Sequence, residues 1–222
     1  MARQAPEDGI DVVCATPHIH PNHDIPIDTI EGRVSVVNAA LEREGISVRV
    51  THGGEVAETM VETLDDDDLR KVSLGRNGIW LLIEPRPGPL GLPLVETVDQ
   101  LRARGFRTIV AHPERHPGHD FREQMEALVG HGALIQATAA LVAEGPASPF
   151  LLELADEGLV HLLASDAHSS RAGRPLRLSE GIVRLGEVER LKRHLGWIAI
   201  DGPAAILRGE PIVPPFAPVP PV

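Results

Sequence analysis

The sequence is short of cysteine, of basic residues and of long apolar runs, and each shortage removes a class of function. Cys14 is the only cysteine among 222 residues, so no internal disulfide can form. It lies in the apolar run 12–15, where a buried strand thiol is expected. No apolar stretch approaches the ~20 residues needed to span a bilayer, so no membrane insertion is expected. Lys and Arg number 21 against 32 Asp and Glu, a formal charge of −11. A surface of that sign does not suit a nucleic-acid backbone, which calls for clustered cations. It still leaves room for a local basic pocket that holds one phosphate. The first eleven residues are polar and unlike a secretory leader, so a cytoplasmic protein is expected.

The length suits one domain, and the pattern is an alternation. Short β-rich runs are predicted at 10–15, 47–51, 78–83, 107–111, 133–137 and 160–164. Between them lie segments of helical period. Ile30, Val34, Val37 and Leu41 mark one helix face that stops at Gly45. Leu94, Val98 and Leu101 mark another before Gly105, and Phe121, Met125 and Leu128 a third before Gly132. A further helix is expected over 149–157, closed by Gly158. Alternating strand and helix with short loops implies an α/β fold with parallel strands. The strands are nearly continuously apolar, as expected when helices cover both faces. The acidic run 65–68 reads as a solvated loop and helix start. Folded structure is expected over 1–210. A tail over 211–222, with six prolines in twelve residues, is expected to be extended and to have no folding role.

Five polar clusters follow the strand runs: Ala15-Thr16-Pro17-His18, Gly53-Gly54-Glu55, Ile83-Glu84-Pro85, Ala111-His112-Pro113-Glu114-Arg115 and Ala164-Ser165-Asp166-Ala167-His168. If the strands are parallel, their ends share one mouth, the geometry of a βα-barrel enzyme. Glu84 ends a fully apolar strand, where an unpaired carboxylate is costly, so a cation partner is expected. The paired glycines before Glu55 would let backbone approach a ligand closely. Alone, Asp166 suits a helix cap as well as a metal, and His112 suits a structural role. Together, His and carboxylate donors without thiolate suit manganese, iron or zinc in a hydrolytic site. Such a cluster activates a bound water and clamps phosphate oxygens. Arg115 and Arg174 would complement a phosphoryl group.

The strings ATPH, GGE, LLIEP, AHPERH and SDAHSS, in that order, resemble those of the polymerase-and-histidinol-phosphatase (PHP) superfamily. They are most similar to the manganese-dependent tyrosine phosphatases of bacterial capsule and exopolysaccharide loci. The resemblance runs over 2–210 and implies a distorted TIM-like (β/α)7 barrel with up to three metal ions. It implies metal ligation by His18, Glu55, Glu84, His112, Asp166 and His168, with Glu55 as the bridging carboxylate. It implies phosphate contacts by Arg115 and by an Arg after SDAH. Arg174, followed by Pro175, fits that position best, with Arg171 as the fallback.

In the family an earlier strand carries a His-x-His pair and a nearby Asp, all metal ligands. Here Met1 falls inside the family's first helix, so that strand is missing from this sequence and a misplaced start codon is expected. One metal site then loses two ligands and a second loses one. His20 and His23 lie after ATPH in a Pro-rich loop and are expected to be solvent-exposed. The substrate that the resemblance implies is a tyrosine-phosphorylated protein, the tyrosine-rich tail of a polysaccharide-assembly autokinase. The rival expectations are a small-molecule phosphatase of the histidinol-phosphate type and an inactive remnant that binds phosphate.

Overall fold

A computed structural model describes residues 1–23, 25–169 and 174–216. Its strands are β1 (Val12–Ala15), β2 (His18–Ile19), β3 (Arg49–His52), β4 (Glu55–Ala57), β5 (Trp80–Glu84), β6 (Arg107–Ala111), β7 (Leu134–Thr138) and β8 (Leu162–Ala164). The α-helices are α1 (Gln4–Glu7), α2 (Ile30–Arg43), α3 (Asp66–Val72), α4 (Leu92–Ala103), α5 (Phe121–Gly130), α6 (Ala139–Ala143), α7 (Ser148–Asp156), α8 (Ser179–Leu185) and α9 (Gly202–Leu207). Every strand pair is parallel. One sheet runs in the order β2-β4-β5-β6-β7-β8, and β1 pairs with β3 beside it. Among the described residues the hydrogen-bonded ladder runs from β2 to β8, and no pairing joins β8 back to β2.

Two strands are more broken than the apolar runs suggested. His18 and Glu55 do not lie past strand ends but open the short strands β2 and β4. The cause is local. Pro17 has no N–H to give the ladder. Gly53 N still donates to Ala15 O and Glu55 N to Pro17 O, each at 3.0 Å, so the two sheets are joined through this break. Packing calls for glycine at both positions of the Gly53-Gly54 pair. A Cβ on Gly53 would meet Leu74 Cδ2 at 2.9 Å, and one on Gly54 would meet Ile19 Cγ1 and Val72 Cβ at 2.9 Å.

The strands are apolar throughout because both faces are covered. Leu81, Ile83, Val110, Ile135 and Leu163 face a large core built with α4, α5 and α7. Their alternates Trp80, Leu82, Ile109, Leu134 and Leu162 form a second cluster closed by Ile206 of α9. The period of two along a strand assigns the faces. Glu84 continues the face of Trp80 and Leu82, so its carboxylate lies above the second cluster. α2 is the most exposed of the long helices, and Val37, expected on its apolar face, is 44% exposed. Asp65 caps α3 by accepting from Asp68 N at 2.8 Å, the helix start read from the acidic run. Asp8, just past α1, accepts from Leu178 N at 2.6 Å and Ser179 N at 3.0 Å, and so caps α8 across the chain.

The proline-rich segment enters the core at its start. Phe216 is 3% exposed. Its ring lies 6.1 Å from His161, 5.7 Å from His194 and 5.6 Å from Trp197, perpendicular to the last. Phe216→Ala is expected to cost about 3 kcal/mol through lost burial and the cavity left behind. Urea unfolding measures this, and a change near zero would show that the residue is not anchored. Residues 217–222 of the expected tail lie outside the described residues.

Candidate metal centre

Parallel pairing brings the starts of β2 and β4, which carry His18 and Glu55, beside the C-terminal ends of β5, β6 and β8, where the other expected ligands lie. Glu55 is the hub. One ligand atom each from His18, Glu55 and Glu84 lie within 4.8 Å of one another, and so do atoms of Glu55, His112 and Asp166. His18 Nδ1 is 3.2 Å from Glu84 Oε2 and 3.6 Å from Glu55 Oε2. His112 Nε2 is 2.7 Å from Glu55 Oε1. The site has a floor and a rim. Glu55 and His112 are 4% and 3% exposed, whereas the His168 side chain is 50% exposed.

Two of the candidate ligand residues sit in left-handed backbone, His112 at φ 31° and Asp166 at φ 46°. His and Asp are among the non-glycine residues that most tolerate this region. Such conformations cost roughly 1–3 kcal/mol and persist where the surroundings fix them, often at functional sites. At His112 the fixing groups are visible. His112 N donates to Gln136 O on β7, and Arg115 N donates back to His112 O. At Asp166 the fixing group is Arg174, whose Nε donates to the Asp166 carbonyl at 2.6 Å and lies 2.9 Å from Oδ2.

The guanidiniums close the other side. Arg115 pairs with Asp166 Oδ2 and donates to Thr138 Oγ1 at 3.4 Å. Thr138 N in turn donates to Glu114 Oε1 at 2.8 Å, which straps the loop after β6 to the end of β7. Arg174 also reaches His168 Nδ1 at 2.8 Å, and His168 Nε2 is 3.3 Å from His18 Nε2. Burial and then the Arg174 charge hold the His168 imidazole below its ordinary range. The hydrogen bond that His18 donates to Glu84 pulls the imidazole above its ordinary range, and the same bond holds the Glu84 carboxyl below its own.

The structure thus gathers His18, Glu55, Glu84, His112, Asp166, His168, Arg115 and Arg174. The fallback Arg171 lies outside the described residues. His20 is half-buried rather than exposed; His23 is exposed, though its ring stacks on His18 at 5.4 Å. Sequence reading missed Thr138, and it named Glu114 within a cluster without giving it a role. The signal for Thr138 was its place at the end of the one central strand that seemed to bring no polar group.

These residues suit divalent cations. The donors are imidazole and carboxylate, a set that fits manganese, iron or zinc. His112 Nδ1 is buried and has no hydrogen-bond partner among the described residues, so one of the two ring nitrogens of a floor residue has nothing to satisfy it.

A parallel α/β sheet with histidine, carboxylate and guanidinium groups converging past its strand ends defines a protein of the PHP type. Residues 1–207 match the family model described as capsular polysaccharide synthesis, CpsB/CapC, and the chain belongs to that family. It is 29% identical over 178 residues to the tyrosine-protein phosphatase YwqE of Bacillus subtilis (strain 168), covering 76% of this chain and 68% of the relative. It is 24% identical over 187 residues to CapC of Staphylococcus aureus, covering 81% of this chain and 72% of CapC. A structure from work on YwqE of Bacillus subtilis and CpsB of Streptococcus pneumoniae, described as unique metal-dependent tyrosine phosphatases, matches with a TM-score of 0.82. That match is 27% identical and covers 99% of this chain and 90% of the other. Among the described residues no helix is long and apolar enough to cross a membrane.

Proposed function

We propose that this protein is a metal-dependent phosphatase that removes phosphate from tyrosine residues of a protein. Its substrate in this reading is the tail of a polysaccharide-assembly tyrosine autokinase, reached in the cytoplasm. The observation that carries the reading is the membership of Glu55 in both ligand groups, a single buried carboxylate placed to serve two cations. His18, Glu55 and Glu84 would hold one ion, and Glu55, His112 and Asp166 another, with His168 at the rim beside His18. Manganese is the first choice, with iron or zinc as alternatives. Bound ions of this kind activate water and neutralise phosphoryl oxygens.

The chain's own groups supply the rest. Arg115 and Arg174 present planar donor forks to phosphoryl oxygens, with geometry that lysine does not reproduce. Thr138 and the Asp166 carboxylate aim the first, and the Asp166 carbonyl and carboxylate aim the second. Holding the phosphoryl group in line is the larger part of what a protein contributes to phosphoryl transfer.

The test is hydrolysis of a phosphotyrosyl peptide and of histidinol phosphate, with manganese and then with a chelator. The expected result is turnover of the peptide in preference to the small ester, lost on chelation and restored by the ion. Turnover that survives chelation, or none with manganese, iron or zinc, would overturn the reading.

A further inference from the structure

One ion pair beside the site, between a buried carboxylate and an exposed guanidinium, belongs to neither ligand group. The Glu58 side chain is 1% exposed and is satisfied entirely by Arg86. Glu58 Oε2 accepts from the Arg86 backbone N at 3.0 Å. Oε1 accepts from Arg86 Nε at 2.7 Å and lies 2.5 Å from its terminal nitrogen.

The place of this pair matters more than its strength. Glu58 is three residues after Glu55, and Arg86 is two after Glu84. β4 and β5 are paired in the register Glu55↔Leu82, Val56↔Ile83 and Ala57↔Glu84. The next step would pair Glu58 with Pro85, which has no N–H, so the ladder ends there. The Glu58 carboxylate takes the following donor instead and ties the two strand ends together through a side chain. That tie lies beside two carboxylates on adjacent strands. Oxygens of Glu55 and Glu84 are within 4.8 Å of each other on adjacent strands, and two ionised carboxylates at that separation repel.

We propose that Glu58 and Arg86 form a positioning clamp. It holds the β4 and β5 ends against the mutual repulsion of Glu55 and Glu84, and so sets the affinity of the His18–Glu55–Glu84 group for a divalent cation. This rests on the metal-centre reading above. Neither residue touches the ion or the substrate; both act through the carboxylates they space. Supports of this kind typically change metal affinity about 10–100-fold when removed.

The measurement is manganese binding to the full chain by titration calorimetry. In Glu58→Gln the backbone bond can persist but the charge-assisted fork is lost, and an affinity about tenfold weaker is expected. A double variant, Glu58→Met with Arg86→Met, removes the pair without leaving a buried charge, a change that often leaves stability intact. It should unfold near the parent's midpoint and bind manganese as weakly as Glu58→Gln. Arg122→Ala breaks ion pairs to Glu153 and Glu157 elsewhere, and should lower stability without changing the manganese affinity. Parent-like affinity in the double variant would overturn the clamp while leaving the metal centre standing. No manganese binding by the unsubstituted chain would overturn the metal-centre reading and the clamp with it.

Discussion

Glu55→Gln is expected to reduce phosphotyrosyl-peptide hydrolysis by two orders of magnitude or more, on the order of the largest losses seen when one transition-state-stabilising group is removed. The size follows from position. Glu55 is the only residue common to both ligand groups, and both of its oxygens are engaged, Oε1 with His112 and Oε2 with His18. A neutral amide of the same shape keeps the packing of this buried residue but removes the charge and one acceptor. Both cations would be weakened together, whereas Glu84→Gln touches one group alone. Manganese titration beside the activity assay separates the causes. The expected pattern is loss of two binding events in Glu55→Gln and of one in Glu84→Gln. Activity in Glu55→Gln within a few-fold of the parent would remove this carboxylate from the centre.

The second large effect concerns stability in acid. His161, at the head of β8, is 2% exposed, and burial pushes its imidazole down from 6.5 to about 4. Its Nδ1 accepts from Ile135 N at 2.9 Å, so protonation there would also break a bond to β7. Between about 4 and 6.5 the unfolded chain takes up a proton at this position and the folded chain does not. Stability is therefore fully present above pH 6.5 and falls as pH drops towards about 4. The gap corresponds to about 3 kcal/mol, as an order of magnitude. His161→Asn places Oδ1 where Nδ1 stands and has no proton to take up. Urea unfolding from pH 7 to pH 4 should show the parent losing about 3 kcal/mol more than this variant. Parallel curves would mean that His161 protonates in place.

The sequence carried the regular elements well where local pattern decides them. The run at 107–111 is β6 as observed, and the apolar spacing around Leu94, Val98 and Leu101 falls inside α4 with all three buried. The gathering of the candidate ligands was legible for the same reason: parallel strands share one edge, and polar groups just past apolar runs must meet there. What escaped reading was long-range or too short to show a period. β2 and β4 are two and three residues long, below the length at which alternation is visible. The Glu58–Arg86 pair joins positions 28 apart, and nothing in either neighbourhood announces the other. Phe216 lies among prolines that read as an extended tail, and only the aromatic groups of distant segments explain its burial.

The strand order has a consequence for how the centre is made. From β2 onward the sheet adds strands in the order in which a ribosome would release them. His18, Glu55 and Glu84 are all present once β5 has emerged, whereas the group that shares Glu55 waits for Asp166, past β8. A nascent chain would therefore complete the two proposed ligand groups in two stages, the second 82 positions after the first. An early ion would then act as a template against which the later strands are laid down.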